Sequence, residues 1–275
     1  MHLITPVVVG VALLLSAPAF GGEVCDYAGQ TDYSGVAHVR AEISPGQGET
    51  QVRVALRFTA KMMIVFRVEY LAEEISFWRS GELARLAVNT RYLVDNRIIR
   101  QQWDYFDRGR DGIAAYRVQG KRGDDFRKKY PAFFHYWSPS TFGENWLNDY
   151  QSAVPERRPD LDLKNQAIPA GLRSPLAFAF YWIRTLRPAS QTVPLFLPGN
   201  KHQSRIDLSI PAPASEPQSG ERRWHIPIHL NAPKTLANSE AWISATQQLQ
   251  QIAFSGRNDS GTGSGLIREV KCEQQ

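Results

Sequence analysis

The chain has 275 residues, 43% of them hydrophobic and 21% charged, and its formal net charge is +5. This length suits one large β-rich domain or two small ones, and no apolar segment reaches the roughly 20 residues that a membrane-spanning helix needs. The positive charge favours anionic neighbours such as phospholipid head groups, with ordinary solubilising surface charge as the alternative.

The first 21 residues have the pattern of an export signal. An apolar stretch over residues 7–15 is followed by Ala17-Pro18-Ala19, small residues at the spacing that signal peptidases accept. The sequence therefore predicts a signal peptide over residues 1–21 and a single periplasmic β-rich domain over residues 22–275. Export disfavours nucleic acid as a partner and leaves at most a peripheral association with the membrane.

The two cysteines lie near opposite ends of the exported chain. Cys25 follows the predicted cleavage site closely, and Cys272 is three residues from the end of the sequence. In an oxidising compartment such a pair predicts a disulfide that joins the two ends, with two free buried thiols as the alternative. A metal site is disfavoured because no histidine lies near either cysteine in the sequence.

The segment before residue 120 has the alternation and the turn residues of an antiparallel sheet. Val52, Val54, Leu56 and Phe58 alternate with polar or small residues, which predicts a strand paired with residues 36–43. Gly and Asp turns separate the runs that follow. These predicted strands cover residues 63–70, 74–78, 83–93, 98–106 and 113–119.

One helix is predicted in the middle of the chain, from Pro175 to Leu186. Ser174 provides an N-cap, and Pro175 occupies a position where a missing N–H costs nothing. Arg184 and Arg187 fall near the negative end of the helix dipole. Because the segment is apolar on all sides, we expect it to be enclosed, in the hollow of a curved sheet.

Residues 138–171, which follow an aromatic cluster at residues 130–137, are an insertion with little predicted structure. Beyond the helix, alternation predicts further strands at residues 192–197, 204–210, 222–230, 240–244, 249–255 and 265–270. Pro227 suggests an edge or a bulge. Residues 211–220 and 261–265, rich in Pro, Ser or Gly, are predicted as a loop and a turn.

No residue pattern in the sequence indicates catalysis or a cofactor. The nucleophile elbow, the zinc-protease motif and the nucleotide-binding glycine patterns are absent. His225 and His229 lie on a predicted strand, where about 3.3 Å per residue would place them about 13 Å apart, too far to share a metal ion. Glu73 and Glu74 point to opposite faces of a strand and are expected to be solvated. We expect a non-enzyme that binds no metal.

Aromatic residues are concentrated at residues 133–137 and 178–182, which is unusual for segments exposed on a polar surface. Plain core packing is one interpretation. The other is that Trp137, Phe178, Tyr181 and Trp182 line a cavity for a lipid-like ligand, because such sites have mainly aromatic and aliphatic walls.

The segment Ser174-Pro-Leu-Ala-Phe-Ala-Phe-Tyr-Trp-Ile-Arg-Thr-Leu186 resembles a helix motif of the exported bacterial family called domain of unknown function 3108. Shorter matches at residues 103–107, 118–122, 130–131 and 241–249 occur in the order of that family. The chain departs from it in the insertion at residues 138–171 and in Thr246-Gln-Gln, where the family tends to have acidic residues. The resemblance implies an open β-barrel similar to lipoprotein-localisation carriers, and no catalytic residues.

Together these patterns predict an α+β, mainly β fold in which a strongly curved antiparallel sheet of about ten strands, an open half-barrel, wraps around one short apolar helix. The expected function is non-catalytic binding or carriage of a hydrophobic or anionic envelope lipid. The alternative is an envelope scaffold that binds another protein and no small molecule.

Overall fold

The computed structural model describes residues 22–32, 35–62, 66–109, 112–120, 171–185, 191–195, 206–210, 214–218, 221–232, 235–258 and 261–274. The first seven strands are β1 (Glu23–Thr31), β2 (Gly35–Pro45), β3 (Thr50–Met62), β4 (Phe66–Arg79), β5 (Glu82–Val94), β6 (Arg97–Gly109) and β7 (Gly112–Gly120). Helix α1 (Pro175–Phe180) and a 3₁₀ helix (Trp182–Thr185) follow. The remaining strands are β8 (Gln191–Leu195), β9 (Ile206–Ile210), β10 (Ala214–Gln218), β11 (Glu221–Ala232), β12 (Thr235–Ser244), β13 (Leu249–Asn258) and β14 (Gly261–Gln274).

These strands form one antiparallel sheet with the order β7-β6-β5-β4-β3-β2-β1-β14-β13-β12-β11-β9-β8, and β10 pairs with β11 beside this path. The first and last strands of the described chain are therefore neighbours in the middle of the sheet. The sheet is curved and not closed, and it carries one short helix. The predicted fold class is confirmed, with fourteen strands in the described residues instead of about ten.

The alternating residues of β2 determine which face of the sheet is buried. Ala37, Val39, Ala41 and Ile43 are buried, while the residues between them are exposed or partly exposed. Because successive side chains of a strand point to opposite faces, this pattern buries one face of the sheet. We call the face that carries these residues the inner face.

Two hairpins turn at residues that tolerate positive φ angles. Ser80 and Gly81 connect β4 to β5 with φ angles of 50° and 77°, and Asp95 and Asn96 connect β5 to β6 with 47° and 64°. Two consecutive residues with positive φ form the turn whose twist matches that of the flanking strands. Both turns were predicted from the sequence and are confirmed.

The structure differs from the predicted strands in four places. Residues 66–79, predicted to belong to two strands at 63–70 and 74–78, form the single strand β4, because residues 71–73 pair with both β3 and β5. β1 was not predicted, because its short apolar run is interrupted by Asp26 and Gly29. β10 occupies part of the predicted loop 211–220, and β14 begins inside the predicted turn 261–265. Pairing with β11 and β13 gives these polar segments their extended form. Composition alone does not reveal such a partner.

Pro227 lies where β11 changes its second neighbour. On one side β11 pairs continuously with β12, and on the other β10 pairs up to His225 while β9 pairs from His229 onward. A proline removes a backbone donor, so it fits a position between two partner strands. Of the two predicted alternatives, an edge or a bulge, Pro227 occupies a local edge between β10 and β9, and the pairing of β11 with β12 continues through it without a bulge.

Helix α1 and the 3₁₀ helix pack on the inner face of the sheet. The ring centroids of Phe180 and Tyr27 of β1 are 5.3 Å apart, and those of Trp182 and Trp78 of β4 are 4.7 Å apart. One hydrophobic cluster joins the helical segment to residues from both halves of the sheet order, among them Phe178, Ile226 and Ile243. The expected enclosure of the helix is confirmed.

Several predictions concern residues outside the described ranges. They are the signal peptide over residues 1–21, the aromatic cluster at 130–137 with Trp137, and the insertion 138–171 except Gly171. In the part of the chain that is described, no helix has the length and apolar character required to cross a bilayer.

Candidate functional site

The N-terminus of helix α1 is capped by a residue from the sheet. Both carboxylate oxygens of Glu74 are used: Oε1 accepts from the Ala177 N–H at 3.0 Å and Oε2 from the Leu176 N–H at 3.0 Å. The Ser174 hydroxyl donates to Oε1 at 2.5 Å. Ser174 was predicted to be the cap acceptor and Glu74 to be solvated, and both predictions are wrong because the buried carboxylate takes over the capping role.

Replacing Ser174 with alanine is expected to lower the free energy of unfolding by about 2 kcal/mol, the usual range for a hydrogen bond to a charged group. Ser174 is fully buried, so no water can replace its hydroxyl at the Glu74 carboxylate. Urea unfolding of Ser174→Ala beside the exposed-site variant Ser255→Ala measures the difference. A loss no larger than that of Ser255→Ala would contradict the role given to this hydroxyl.

The helical segment changes from an α-helix to a 3₁₀ helix at Tyr181. The predicted helix to Leu186 is wrong in length, because the α-helix ends at Phe180 and a 3₁₀ helix continues to Thr185. In this tighter turn Arg184 lies against Glu23 of β1, with Nη1–Oε1 and Nη2–Oε2 distances of 2.8 Å each. Arg184, predicted to lie near the negative end of the helix dipole, is in the last turn and forms a buried bidentate ion pair with Glu23. Arg187 lies outside the described residues.

Two tyrosines and a second carboxylate surround this ion pair. Burial raises the pKa of Tyr27 and of Tyr181. Burial, followed by the charge of Glu23, raises the pKa of Glu269, which accepts a hydrogen bond from Gln248 at 2.8 Å. Burial acts to lower the pKa of Arg184, but its hydrogen bonds to Glu23 outweigh that effect and the pKa is raised. The hydrogen bonds and ion pair around Arg184 fix these side chains in position, and none of them is an exposed nucleophile.

A cluster of aromatic rings and one guanidinium lies beside the 3₁₀ helix. The Arg173 guanidinium is 4.5 Å from the ring centroid of Trp182 and 5.2 Å from that of Trp78. Tyr181 meets Trp182 edge to face at 4.8 Å. We call Trp78, Arg173, Tyr181 and Trp182 the Trp182 cluster. Contacts of a cation with aromatic faces stabilise such a group and orient the guanidinium.

Trp182 differs from the other rings of the cluster. Its side chain is only partly buried, yet its indole nitrogen is inaccessible to solvent and finds no hydrogen-bond acceptor among the described residues. Arg173 donates to the Gly81 carbonyl at 3.0 Å and stays partly exposed, and burial lowers its pKa. The Trp182 cluster thus combines an apolar wall, an unused N–H donor and a cation.

Only two of the four predicted ligand-binding residues come together in the described part of the structure. Tyr181 and Trp182 come together, while Phe178 is 3% exposed and belongs to the packed core. Trp137 lies outside the described residues. The sequence did not single out Trp78 or Arg173, since Trp78 ends a predicted strand and Arg173 is one basic residue among many. Their proximity to Trp182 depends on the tertiary fold.

Cys25 and Cys272 are joined by a disulfide, as predicted. They are direct partners across β1 and β14, with a Cα–Cα distance of 4.1 Å. The Glu23 carboxylate lies close to both sulfur atoms. This group is not arranged to bind a metal, because the sulfur atoms are bonded to each other and the carboxylate is paired with Arg184.

His225 and His229 lie on β11, as predicted, and face different partners. The His225 ring stacks on Trp242 at 4.9 Å, and its Nε2 is 3.4 Å from the Glu240 carboxylate. His229 Nδ1 is 2.9 Å from the Asn238 side-chain oxygen. Each imidazole has its own neighbours on β12, so the two residues do not converge on one point.

Glu73 and Glu74 point to opposite faces of β4, as predicted, but Glu73 is also buried and not solvated. Its carboxylate is 3.8 Å from the Arg91 guanidinium, and the two side chains are 8% and 10% exposed. Ile75 and Phe77, on the same face, are buried as well. Burial raises the pKa of Glu73 to about 7, although the charge of Arg91 acts in the opposite direction.

This raised pKa predicts a pH-dependent stability. Because the folded-state pKa of Glu73 lies above its ordinary value of 4.5, its contribution to stability is complete below about pH 4.5 and is lost as the pH rises to 7. The expected loss is about 2 kcal/mol after allowance for partial screening.

The glutamine of Glu73→Gln stays neutral at all these pH values. Between pH 4.5 and 7.5 the wild type should therefore lose about 2 kcal/mol of unfolding free energy relative to this variant. Ser255→Ala, at an exposed site of β13 that carries no titratable group, is the control and should give a nearly constant difference. A constant difference for Glu73→Gln would show that this carboxyl titrates normally.

The comparisons with known proteins concern the fold. No family model matches the chain, and no curated protein matches it. A beta-barrel-like protein of domain of unknown function DUF1849 from Brucella abortus is similar over 93% of this chain and 98% of its own, with a TM-score of 0.50 and 6% identity. Kievitone hydratase from Nectria haematococca matches over 91% of this chain and 89% of its own with a TM-score of 0.16 and 8% identity, too low to bear on the fold.

The Brucella structure agrees with the expectation of a β-barrel-like domain of unknown function. No family model supports the more specific resemblance to domain of unknown function 3108. At 6% identity the similarity establishes the architecture and assigns no activity or ligand to this chain.

Proposed function

We propose that the protein is a non-catalytic binding protein of the cell envelope that takes an amphipathic, anionic lipid at the Trp182 cluster. The disulfide supports an oxidising compartment such as the periplasm. The β-barrel-like fold and the helix motif are in keeping with a distant relationship to domain of unknown function 3108.

One observation carries the proposal, the buried indole N–H of Trp182, which has no acceptor among the described residues. A buried donor without an acceptor costs about 1–3 kcal/mol, and a small rotation of the partly exposed Trp182 ring toward a ligand oxygen would remove the cost. The neighbouring Arg173 guanidinium would pair with an anionic head group, while the exposed part of the Trp182 ring would contact the acyl chain, with Trp78 and Tyr181 buried behind it.

The packing of the helix restricts where such a lipid binds. Phe178, Phe180 and Ile183 fill the inner face and are at most 5% exposed. Trp182 is less buried and lies beside Arg173, at the boundary of this core. We therefore place the acyl chain along the Trp182 cluster and not in the centre of the half-barrel.

The test is binding of lysophosphatidylglycerol below its critical micelle concentration, measured by native mass spectrometry and calorimetry. Trp182→Phe keeps the ring and removes the N–H, and we expect a roughly fivefold weaker affinity, which corresponds to about 1 kcal/mol. Arg173→Gln should weaken binding about tenfold by removing the cation.

Trp242→Phe is the matched control, since Trp242 stacks on His225 away from the Trp182 cluster, and its affinity should equal that of the wild type. Absence of a lysolipid complex, or equal affinities for all the variants, would overturn the proposed site.

A second function, a scaffold that pairs with another envelope protein, is favoured by the ends of the sheet. Among the described strands, β7 pairs only with β6. β8 pairs only with β9, but Arg173 covers part of its other edge, since the Arg173 N–H donates to the Pro194 carbonyl at 2.9 Å. A strand with one neighbour can accept a strand from a partner chain, which makes β7 the more open edge. Cross-linking in the native envelope through β7, in the absence of bound lipid, would favour this function over lipid binding.

A further inference from the structure

A groove lies on the face of the sheet opposite helix α1. Ile252 of β13 and Ile267 of β14 are buried on the inner face, so the residues next to them, Ala253 and Leu266, point to the other side. Ala253 and Leu266 line a groove of about 520 Å³ over β1, β12, β13 and β14. This volume is within the range of about 300–1,000 Å³ that is usual for small-molecule sites.

Oxygen and amide groups dominate the polar lining of the groove. The polar side chains include those of Gln30, Asp32, Asn238, Glu240, Ser255 and Ser264. None of the described lining residues is Lys, Arg or His, although the whole chain has a formal net charge of +5. The described lining thus has two carboxylates, Asp32 and Glu240, and no cationic side chain, on a protein that is basic overall.

One wall of the groove is held in a fixed position. The Asp32 carboxylate accepts hydrogen bonds from the Ser264 N–H at 2.7 Å and from the Ser264 hydroxyl at 2.8 Å. The Asp32 N–H donates to the Ser264 carbonyl at 3.0 Å. These three bonds tie the end of β1 to β14, so this side of the groove is ordered without a ligand.

The opposite wall carries a carboxylate that is accessible. The Glu240 side chain is 51% exposed, and its protein contact is His225 at 3.4 Å. The adjacent Asn238 side chain is oriented by His229 at 2.9 Å. A carboxylate and an amide fixed beside each other provide acceptors for an ammonium group and for hydroxyl groups.

We infer that this groove binds a carbohydrate that carries a free amino group. The hydroxyl and amide side chains match sugar hydroxyls, and Ala253 and Leu266 match the apolar face of a sugar ring. The Glu240 carboxylate matches the ammonium group and favours it over an acetylated or anionic sugar. This inference is independent of the lipid site, which lies on the inner face.

The test is calorimetric or NMR titration of the whole protein with a trimer of glucosamine. Its fully acetylated form and a galacturonic acid trimer serve as comparison ligands. We expect millimolar or tighter binding of the glucosamine trimer and at least fivefold weaker binding of the other two. Glu240→Gln should weaken the glucosamine trimer about fivefold, and Ala253→Trp should abolish binding by filling the groove.

Two variants on the same face of the sheet are the matched controls. Glu42→Gln removes an exposed carboxylate of β2, and Ala28→Trp adds a ring to β1 outside the groove, so both should bind as the wild type does. Absence of binding, equal binding of the acetylated trimer, or binding unchanged in Glu240→Gln and Ala253→Trp would overturn the inference. Circular dichroism and the urea midpoint of Ala253→Trp show whether the variant is folded, independently of lipid binding.

Discussion

Replacing Arg184 with methionine is expected to lower the free energy of unfolding by about 4 kcal/mol, because it leaves the Glu23 carboxylate buried without its partner. The two side chains are 5% and 4% exposed, and both Arg184–Glu23 contacts measure 2.8 Å. The remaining charge would also lie near Glu269, whose pKa is already raised by burial and by Glu23. Urea unfolding followed by circular dichroism measures the loss.

Two further variants separate the buried pair from ordinary charge effects. Arg40→Met removes a guanidinium that is 52% exposed and pairs with Glu42 at 2.8 Å, so we expect a change of at most about 1 kcal/mol. Combining Glu23→Leu with Arg184→Met removes both buried charges and should recover much of the stability. A loss below about 1 kcal/mol for Arg184→Met alone would contradict a structural role of the ion pair.

Replacing Cys25 and Cys272 together with serine is expected to cost about 4 kcal/mol of unfolding free energy. The disulfide joins residues 247 positions apart, and a cross-link over so long a loop removes much of the conformational freedom of the unfolded chain. The variant should keep the antiparallel register of β1 and β14, because their backbone hydrogen bonds do not involve sulfur. Its transition in urea should move to a lower midpoint.

Reduction provides the control for the cysteine variant. Dithiothreitol should lower the midpoint of the wild type to that of the serine variant and leave the serine variant unchanged. If dithiothreitol does not change the urea midpoint of the wild type, and the serine variant has the same midpoint, the disulfide does not contribute to the stability of the fold.

The sheet could be predicted where alternation was strong, as in β2, β3 and β11. In these strands apolar and polar residues alternate because only one face of the sheet is buried. The sequence missed β1 and β10, whose polar and small residues become strands only because β14 and β11 provide hydrogen-bonding partners. The helix was found from Ser174-Pro175, but its change to a 3₁₀ helix after Phe180, where Arg184 pairs with Glu23, has no signal in the local sequence.

The candidate sites were harder to predict. Tyr181 and Trp182 were singled out because their segment is aromatic, but Trp78 and Arg173 become neighbours only through packing of the helical segment on β4. Glu74 was interpreted as solvated because a charged residue is usually exposed, and the helix N-terminus that stabilises it lies about a hundred residues away in sequence. Local pattern carries no information about such distant partners.

The placement of β1 next to β14 has a consequence for how the molecule assembles. β1–β7 form a meander of local hairpins, and β8 to β14 pair among themselves, with β9 and β10 both beside β11, but the seam between the two sets needs both β1 and β14. Closing so long a loop is entropically slow. We therefore expect the seam to form last, with the edges of β1 and β14 open to aggregation until it does.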